Sequence, residues 1–106
     1  MFLVLLIKNI AIGQLAMSGV TTAAATNNIA IGISALTGEA NTEGDNNIAI
    51  GLAPLIALTV GDDNVAIARG STNQLTTGYR NIAIGMGTMA SSIVGCCNTA
   101  VGTTAG

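Results

Sequence analysis

The stretch "DNNIAIG", Asp45–Gly51, contains a phrase that returns along almost the whole chain. "NIAIG" occurs four times, and two altered copies, "NVAIA" and "NTAVG", continue the series. The six copies begin at Asn9, Asn28, Asn47, Asn64, Asn81 and Asn98. Their spacings of 19, 19, 17, 17 and 17 residues predict one repetitive domain over 9–106, built from similar stacked units.

The phrase itself predicts a strand. Its residues alternate Ile, Ala, Ile, and side chains of a strand point alternately to opposite faces. β-Branched residues suit the pleated surface of a sheet. The alanines form an unbroken column, which indicates either a crowded face or a closely packed neighbour: Ala11, Ala30, Ala49, Ala66, Ala83 and Ala100.

Glycine and asparagine mark two corners in each unit, because both residue types tolerate a positive φ. The expected corner residues are Asn28, Asn47, Asn64, Asn81, Gly44, Gly61, Gly78 and Gly95. A second short strand is expected between the corners, in segments such as Leu58–Val60, Leu75–Thr77 and Ser92–Val94. Two strands and two corners describe one coil of an all-β solenoid, here of about six coils, which stack at the sheet spacing of about 4.8 Å.

Composition limits the classes of partner. Only 8% of the 106 residues are charged, whereas about 25% is usual, which suggests that copies of the chain cover much of its surface. The net charge is −2 and the only basic residues are Lys8, Arg69 and Arg80, so nucleic-acid binding is not supported. No apolar run approaches the roughly 20 residues of a membrane-spanning helix, and no membrane insertion by this segment is expected.

The opening segment 1–8, "MFLVLLIK", does not follow the repeat. It lacks the basic start and the small-residue cleavage site of a signal peptide. We interpret it as an atypical first strand or as the seam to a preceding segment of a longer fibre.

The repeats "NIAIGISAL", "NIAIGMGTM" and "LTTGYRNIAIG" resemble the head repeats of YadA-type trimeric autotransporter adhesins, which also occur in bacteriophage tail fibres. The resemblance extends from Asn9 to Gly102. It implies a left-handed parallel β-roll packed as a homotrimeric rod. The chain departs from the family where isoleucine replaces the frequent serine after asparagine, and where Ala68 and Arg69 replace glycine and a neutral residue.

Carried onto this chain, the resemblance implies that the isoleucines fill each coil. The expected buried core ladder is Ile12, Ile31, Ile50, Ile67 and Ile84. The alanine column Ala11, Ala30, Ala49, Ala66, Ala83 and Ala100 would then form the seam between chains.

The resulting functional expectation is an extracellular structural or adhesive fibre segment. A virus tail or host-recognition fibre is favoured, because no export or anchoring pattern is visible in the sequence, and its cell-surface receptor is unknown. The alternatives are the head of a bacterial trimeric surface adhesin and a purely structural self-assembling filament. Ice binding ranks lower, because Thr59, Thr76 and Thr77 give only a fragment of a threonine ladder.

No enzyme is expected. The chain has no histidine to activate its serines and threonines. "GMGTMA", Gly85–Ala90, matches a dinucleotide fingerprint, but no acidic residue follows it, so we expect no cofactor.

Two corner features remain open. Cys96-Cys97 lacks the further ligands of a zinc site, so small-residue packing is favoured over a vicinal or interchain disulfide. The acidic residues lie at successive corners, where a solvated surface is favoured over a calcium site and no metal is expected: Glu39, Glu43, Asp45, Asp62 and Asp63. The column just before each asparagine, which includes Asp63 and Arg80, is predicted to face water.

Overall fold

The computed structural model of the chain describes residues 8–19, 25–37, 44–72, 75–89 and 95–104. The expectations for the opening apolar segment up to Ile7, for Glu39 and Glu43, and for a strand at Ser92–Val94 lie outside the described residues. Lys8 lies in a turn.

The repeated phrase forms strands in every unit. The strands are β1 (Ile10–Ile12), β2 (Ile29–Ile31), β3 (Ile48–Ile50), β4 (Val65–Ile67), β5 (Ile82–Ile84) and β6 (Thr99–Val101). They form one parallel sheet in sequence order, with each alanine paired to the alanine of the next strand. The protein is therefore an all-β parallel β-solenoid, and its described part amounts to about four turns.

The interior is lined by the alanine column, not by the isoleucines. The alanines of the six strands are 0–8% exposed, whereas Ile12 is 47% and Ile84 is 38% exposed. The predicted core ladder was therefore wrong for Ile12, Ile31, Ile50, Ile67 and Ile84, which lie on the outer face of the sheet.

The physical reason is the small cross-section of the coil. The buried space behind the strands is filled from the opposite wall by large side chains, among them Leu36, Leu55, Leu58 and Leu75. Facing such residues, the strand wall has room for a methyl group only. The β-branched side chains therefore point outward.

The expected second strand does not form at Leu58–Val60 or Leu75–Thr77, where the chain runs in bends. After each strand, residues with positive φ recur at every second position, as at Gly13 (126°), Leu15 (62°) and Met17 (56°). These positions precede the two segments, which contain no positive φ themselves but bend at 59–60 and 76–77. Leu58 and Leu75 are nevertheless fully buried.

A ladder of buried asparagines connects the units. The Oδ1 atom of Asn47 accepts a hydrogen bond from the backbone N–H of Asn64 at 3.0 Å. Its Nδ2 atom donates to the carbonyl of Gly61 at 2.9 Å, so both ends of one amide bind the next coil. Asn28, Asn64 and Asn81 repeat the arrangement and, like Asn47, are 0–1% exposed.

The asparagines do not have the role expected of them at the corners, which was to adopt a positive φ themselves. The residue with positive φ is the one before each asparagine, as at Asn46 (58°) and Asp63 (59°). Gly44, Gly61 and Gly78 also have no positive φ; a Cβ there would collide with the next coil's glycine carbonyl. These glycines are needed because adjacent coils approach closely.

Candidate functional site, the outer face of the sheet

The outward side of the sheet carries an aliphatic surface that a single chain leaves open. We define the outer face as the two outward strand columns: Ile10, Ile29, Ile48, Val65, Ile82 and Thr99, with Ile12, Ile31, Ile50, Ile67, Ile84 and Val101. Ile10 is 50% and Val101 is 66% exposed. In-register pairing stacks these side chains directly above one another, so they form one continuous stripe.

A third column extends the stripe just beyond each strand. Ile33, Leu52 and Met86 occupy it and are 52%, 44% and 50% exposed. Arg69 stands between Leu52 and Met86 and is also exposed. The aliphatic members of this column thus lie in the second, third and fifth units, and Arg69 places one positive charge in the fourth.

This geometry overturns the predicted seam between chains. Ala30, Ala49, Ala66 and Ala83 have no exposed surface, so they cannot contact another molecule. Ala11 and Ala100, at 2% and 8%, belong to the same interior wall. The alternation of the strand was read correctly, but inside and outside were exchanged. Residue size was the signal in the sequence that could have identified the interior face, because a narrow coil has room inside only for the column of smaller side chains.

The column before each asparagine faces water, as predicted. Its described members are all exposed: Lys8, Asn27, Asn46, Asp63, Arg80 and Cys97. Their φ angles of 54–64° place all six in the left-handed region. Backbone bonds hold this shape, since the N–H of Asp63 donates to the carbonyl of Asp45 and that of Arg80 to the carbonyl of Asp62, both at 3.0 Å.

Two aspartates at the neighbouring corner position join adjacent coils, a role that the sequence analysis missed. Oδ1 of Asp45 accepts a hydrogen bond from the N–H of Thr26 at 2.8 Å, and Oδ1 of Asp62 accepts one from the N–H of Asp45 at 2.7 Å. These carboxylates therefore cap backbone donors. Among the described residues, no group of three or more His, Cys, Asp or Glu side chains could hold a metal ion.

The same corner position changes character further along the chain. Tyr79 and Cys96 replace aspartate and pair as an isolated parallel bridge. The Cys96 thiol forms hydrogen bonds with the Cys97 thiol and the Tyr79 hydroxyl, which lower its pKa below the usual value. The same contact raises the pKa of the Cys97 thiol. Both cysteines are free at this corner, Cys96 half-buried and Cys97 exposed.

The segment with the dinucleotide-like spacing is part of the coil. Gly85 follows β5 at φ 124°, and the residues up to Met89 form turns rather than a helix. The hydroxyl of Thr88 is buried and donates to the carbonyl of Gly85 at 2.9 Å. The glycines therefore shape the turn and do not open a helix.

No protein-family model matches the sequence, and neither a curated protein nor a solved structure gives a significant match. Within the part of the chain that the structure describes, no helix is long and apolar enough to cross a membrane.

Proposed function

We propose that the chain is a segment of an extracellular fibre that assembles from three copies and serves in attachment to a cell surface. The observation that carries the proposal is the outer face. It presents aliphatic residues at eleven of its twelve positions, with Thr99 as the exception. Large contiguous apolar surfaces on otherwise soluble domains usually mark interaction sites.

A second and a third copy of the same chain are the proposed occupants of the outer face. A stripe whose side chains repeat at the coil spacing packs best against a second stripe with the same spacing. Another copy of the chain carries such a stripe. The low charge of the chain, three basic and five acidic residues, supports burial of much of its surface. The number three and the left-handed sense of about six coils rest on the resemblance to the YadA-type repeats.

Sedimentation equilibrium of the full chain and two matched variants tests the assembly. Ile12 and Val60 are exposed to nearly the same degree, 47% and 51%, but only Ile12 lies on the outer face. Ile12→Asp places one charge per chain in the proposed interface and is expected to shift assembly toward monomer. Val60→Asp is expected to leave a trimer. Equal behaviour of the two variants, or a monomeric parent chain, would contradict the assembly.

The attachment role is tested separately, with the assembled protein carrying a fluorescent label. Saturable binding to bacterial cells is expected for a virus tail or host-recognition fibre. Binding to animal cells or extracellular matrix instead would support the head of a bacterial adhesin. A trimer that binds no surface would leave a purely structural filament.

A further inference from the structure

We propose that Cys96 and Cys97 form a redox-reactive thiol pair that takes small-molecule disulfides such as oxidised glutathione, with Cys96 attacking and Cys97 resolving. The inference is independent of how the chain assembles. It begins from the position of the two residues. Free cysteine is among the most buried residue types, but here one cysteine is half-buried and the other is exposed. Interior packing therefore does not account for them.

The geometry brings three polarisable groups together at one corner. Tyr79 and Cys96 occupy the same position in successive units, and the N–H of Cys97 donates to the carbonyl of Tyr79 at 3.1 Å. This bond helps to hold Cys97 at a φ of 64°. The pairing of Tyr79 with Cys96 places both residues at this corner, and Cys97 follows Cys96 directly in the chain.

This arrangement assigns the order of attack. The thiolate is the nucleophilic form of cysteine, and hydrogen bonds to it favour that form. Cys96 receives two such bonds, whereas Cys97 and Tyr79 both have raised pKa values because they face Cys96. The Arg80 guanidinium has a smaller, lowering effect at all three groups, which does not reverse the increase at Tyr79 and Cys97. Cys96 is therefore the thiol whose pKa its surroundings lower, and we assign the first attack to it.

The reaction balances as two thiol–disulfide exchanges. The Cys96 thiolate attacks one sulfur of the small disulfide, its S–S bond breaks, and one small thiolate leaves. Cys97 then loses its proton, attacks the Cys96 sulfur and expels the second small thiolate. The two cysteines are oxidised by two electrons, and the small disulfide is reduced to two thiols.

The product would be easily reversed. Adjacent Cα atoms are about 3.8 Å apart across a trans peptide bond, whereas disulfides usually join Cα atoms about 4.4–6.8 Å apart. A ring between neighbouring cysteines is therefore strained, and strained disulfides are readily reduced. We expect a labile modification rather than a permanent crosslink.

The test is intact-mass measurement of the full chain during incubation with oxidised glutathione, with acid quenching and no reductant. The parent chain is expected to lose two hydrogens without retaining glutathione, and reduced glutathione should restore the original mass. Cys97→Ser should hold one glutathione on Cys96. Cys96→Ser should react severalfold more slowly, because the remaining thiol lacks the two hydrogen bonds that favour the thiolate.

Tyr79→Phe in the Cys97→Ser background tests the hydroxyl. It is expected to slow adduct formation severalfold near neutral pH and to move the pH midpoint of the rate upward, since one donor to the thiolate is lost. Unchanged thermal unfolding serves as the control for folding. Equal rates of the two single-cysteine variants, a retained glutathione on the parent chain, or a disulfide between two chains would each overturn the proposal.

Discussion

The two halves of each coil differ in the residue types that their interior positions accept. We call the segment from each asparagine to the end of its strand the strand half, and the rest of the unit the turn half. In the strand half the interior positions are always asparagine and alanine. In the turn half one interior column, fully or almost fully buried, holds Met17, Leu36, Leu55, Thr72 and Met89 in successive units.

The difference teaches which interactions restrict the choice of residue. In the strand half a side-chain amide must reach two backbone groups of the next coil at 2.8–3.1 Å, and only asparagine has the required length with both a donor and an acceptor. In the turn half the interior requires only filled volume. A buried hydroxyl there is satisfied locally, since Oγ1 of Thr72 donates to the carbonyl of Ser71 at 2.7 Å.

Breaking the asparagine ladder should cause the largest loss in the free energy of unfolding. Asn47→Asp replaces the donor to the Gly61 carbonyl with an acceptor at a site with no exposed surface. We expect a loss of about 3–5 kcal/mol in the free energy of unfolding, the range for an uncompensated buried charge. Denaturant titration measures it. The loss should shrink in acid, where the protonated carboxyl can donate again.

The adjacent residue supplies the control for this variant. Asn46 is exposed and occupies the column in which the third unit already has Asp63. Asn46→Asp should change the unfolding free energy by less than about 0.5 kcal/mol. Equal losses in the two variants would show that the ladder has no special role.

Changing an interior residue should destabilise the protein more in the strand half than in the turn half. Ala49→Leu inserts three heavy atoms into a wall with no exposed surface, and overpacking of this kind costs about 1–3 kcal/mol. Leu55→Met, in the turn half, conserves volume and should cost less than about 1.5 kcal/mol. Thermal unfolding compares the two variants. An Ala49→Leu chain as stable as the parent would mean that the strand wall has unfilled space.

The smallest expected effect lies at the junction of the halves, where Ala68 has a φ of 105° and the equivalent glycines have 124–132°. Ala68→Gly should raise stability by about 1 kcal/mol, since positive φ at a non-glycine residue costs about 1–3 kcal/mol and the greater freedom of unfolded glycine offsets part of the gain. Ala57→Gly, in the turn half without positive φ, should not stabilise. Unchanged or lower stability of Ala68→Gly would contradict the assigned strain.

The sequence analysis predicted the repeated strand correctly but assigned its interior face wrongly. The pattern of Ile50 and Ala49 predicted the strand, its register and its alternation, because these follow from the backbone geometry of a single extended segment. It did not predict which face is interior, because both faces of the strand are apolar. The expected second strand at Leu58–Val60 did not form for a related reason, since Leu58 is buried in a segment that bends and does not join a sheet.

The candidate site shows the same division. Composition pointed to a covered surface, and the structure shows an exposed aliphatic outer face, which the proposed assembly would cover. The sequence analysis placed Asp45 and Asp62 at successive corners, but it did not predict the bond from a backbone N–H to a carboxylate. Cys96 beside Tyr79 was not anticipated, because the two residues are 17 positions apart and meet only when the coils stack.

By itself, the sequence determined the repeat, the strands within it and the parallel stacking of equivalent residues, since a phrase repeated at 17–19 residues aligns with itself when the units stack. Only the tertiary structure decided the contents of the interior, the direction of the isoleucines and the contacts at the corners. These depend on the width of the closed coil and on the distance between neighbouring coils. Side chains from opposite walls compete for the same space, and neither wall alone specifies how much of it remains.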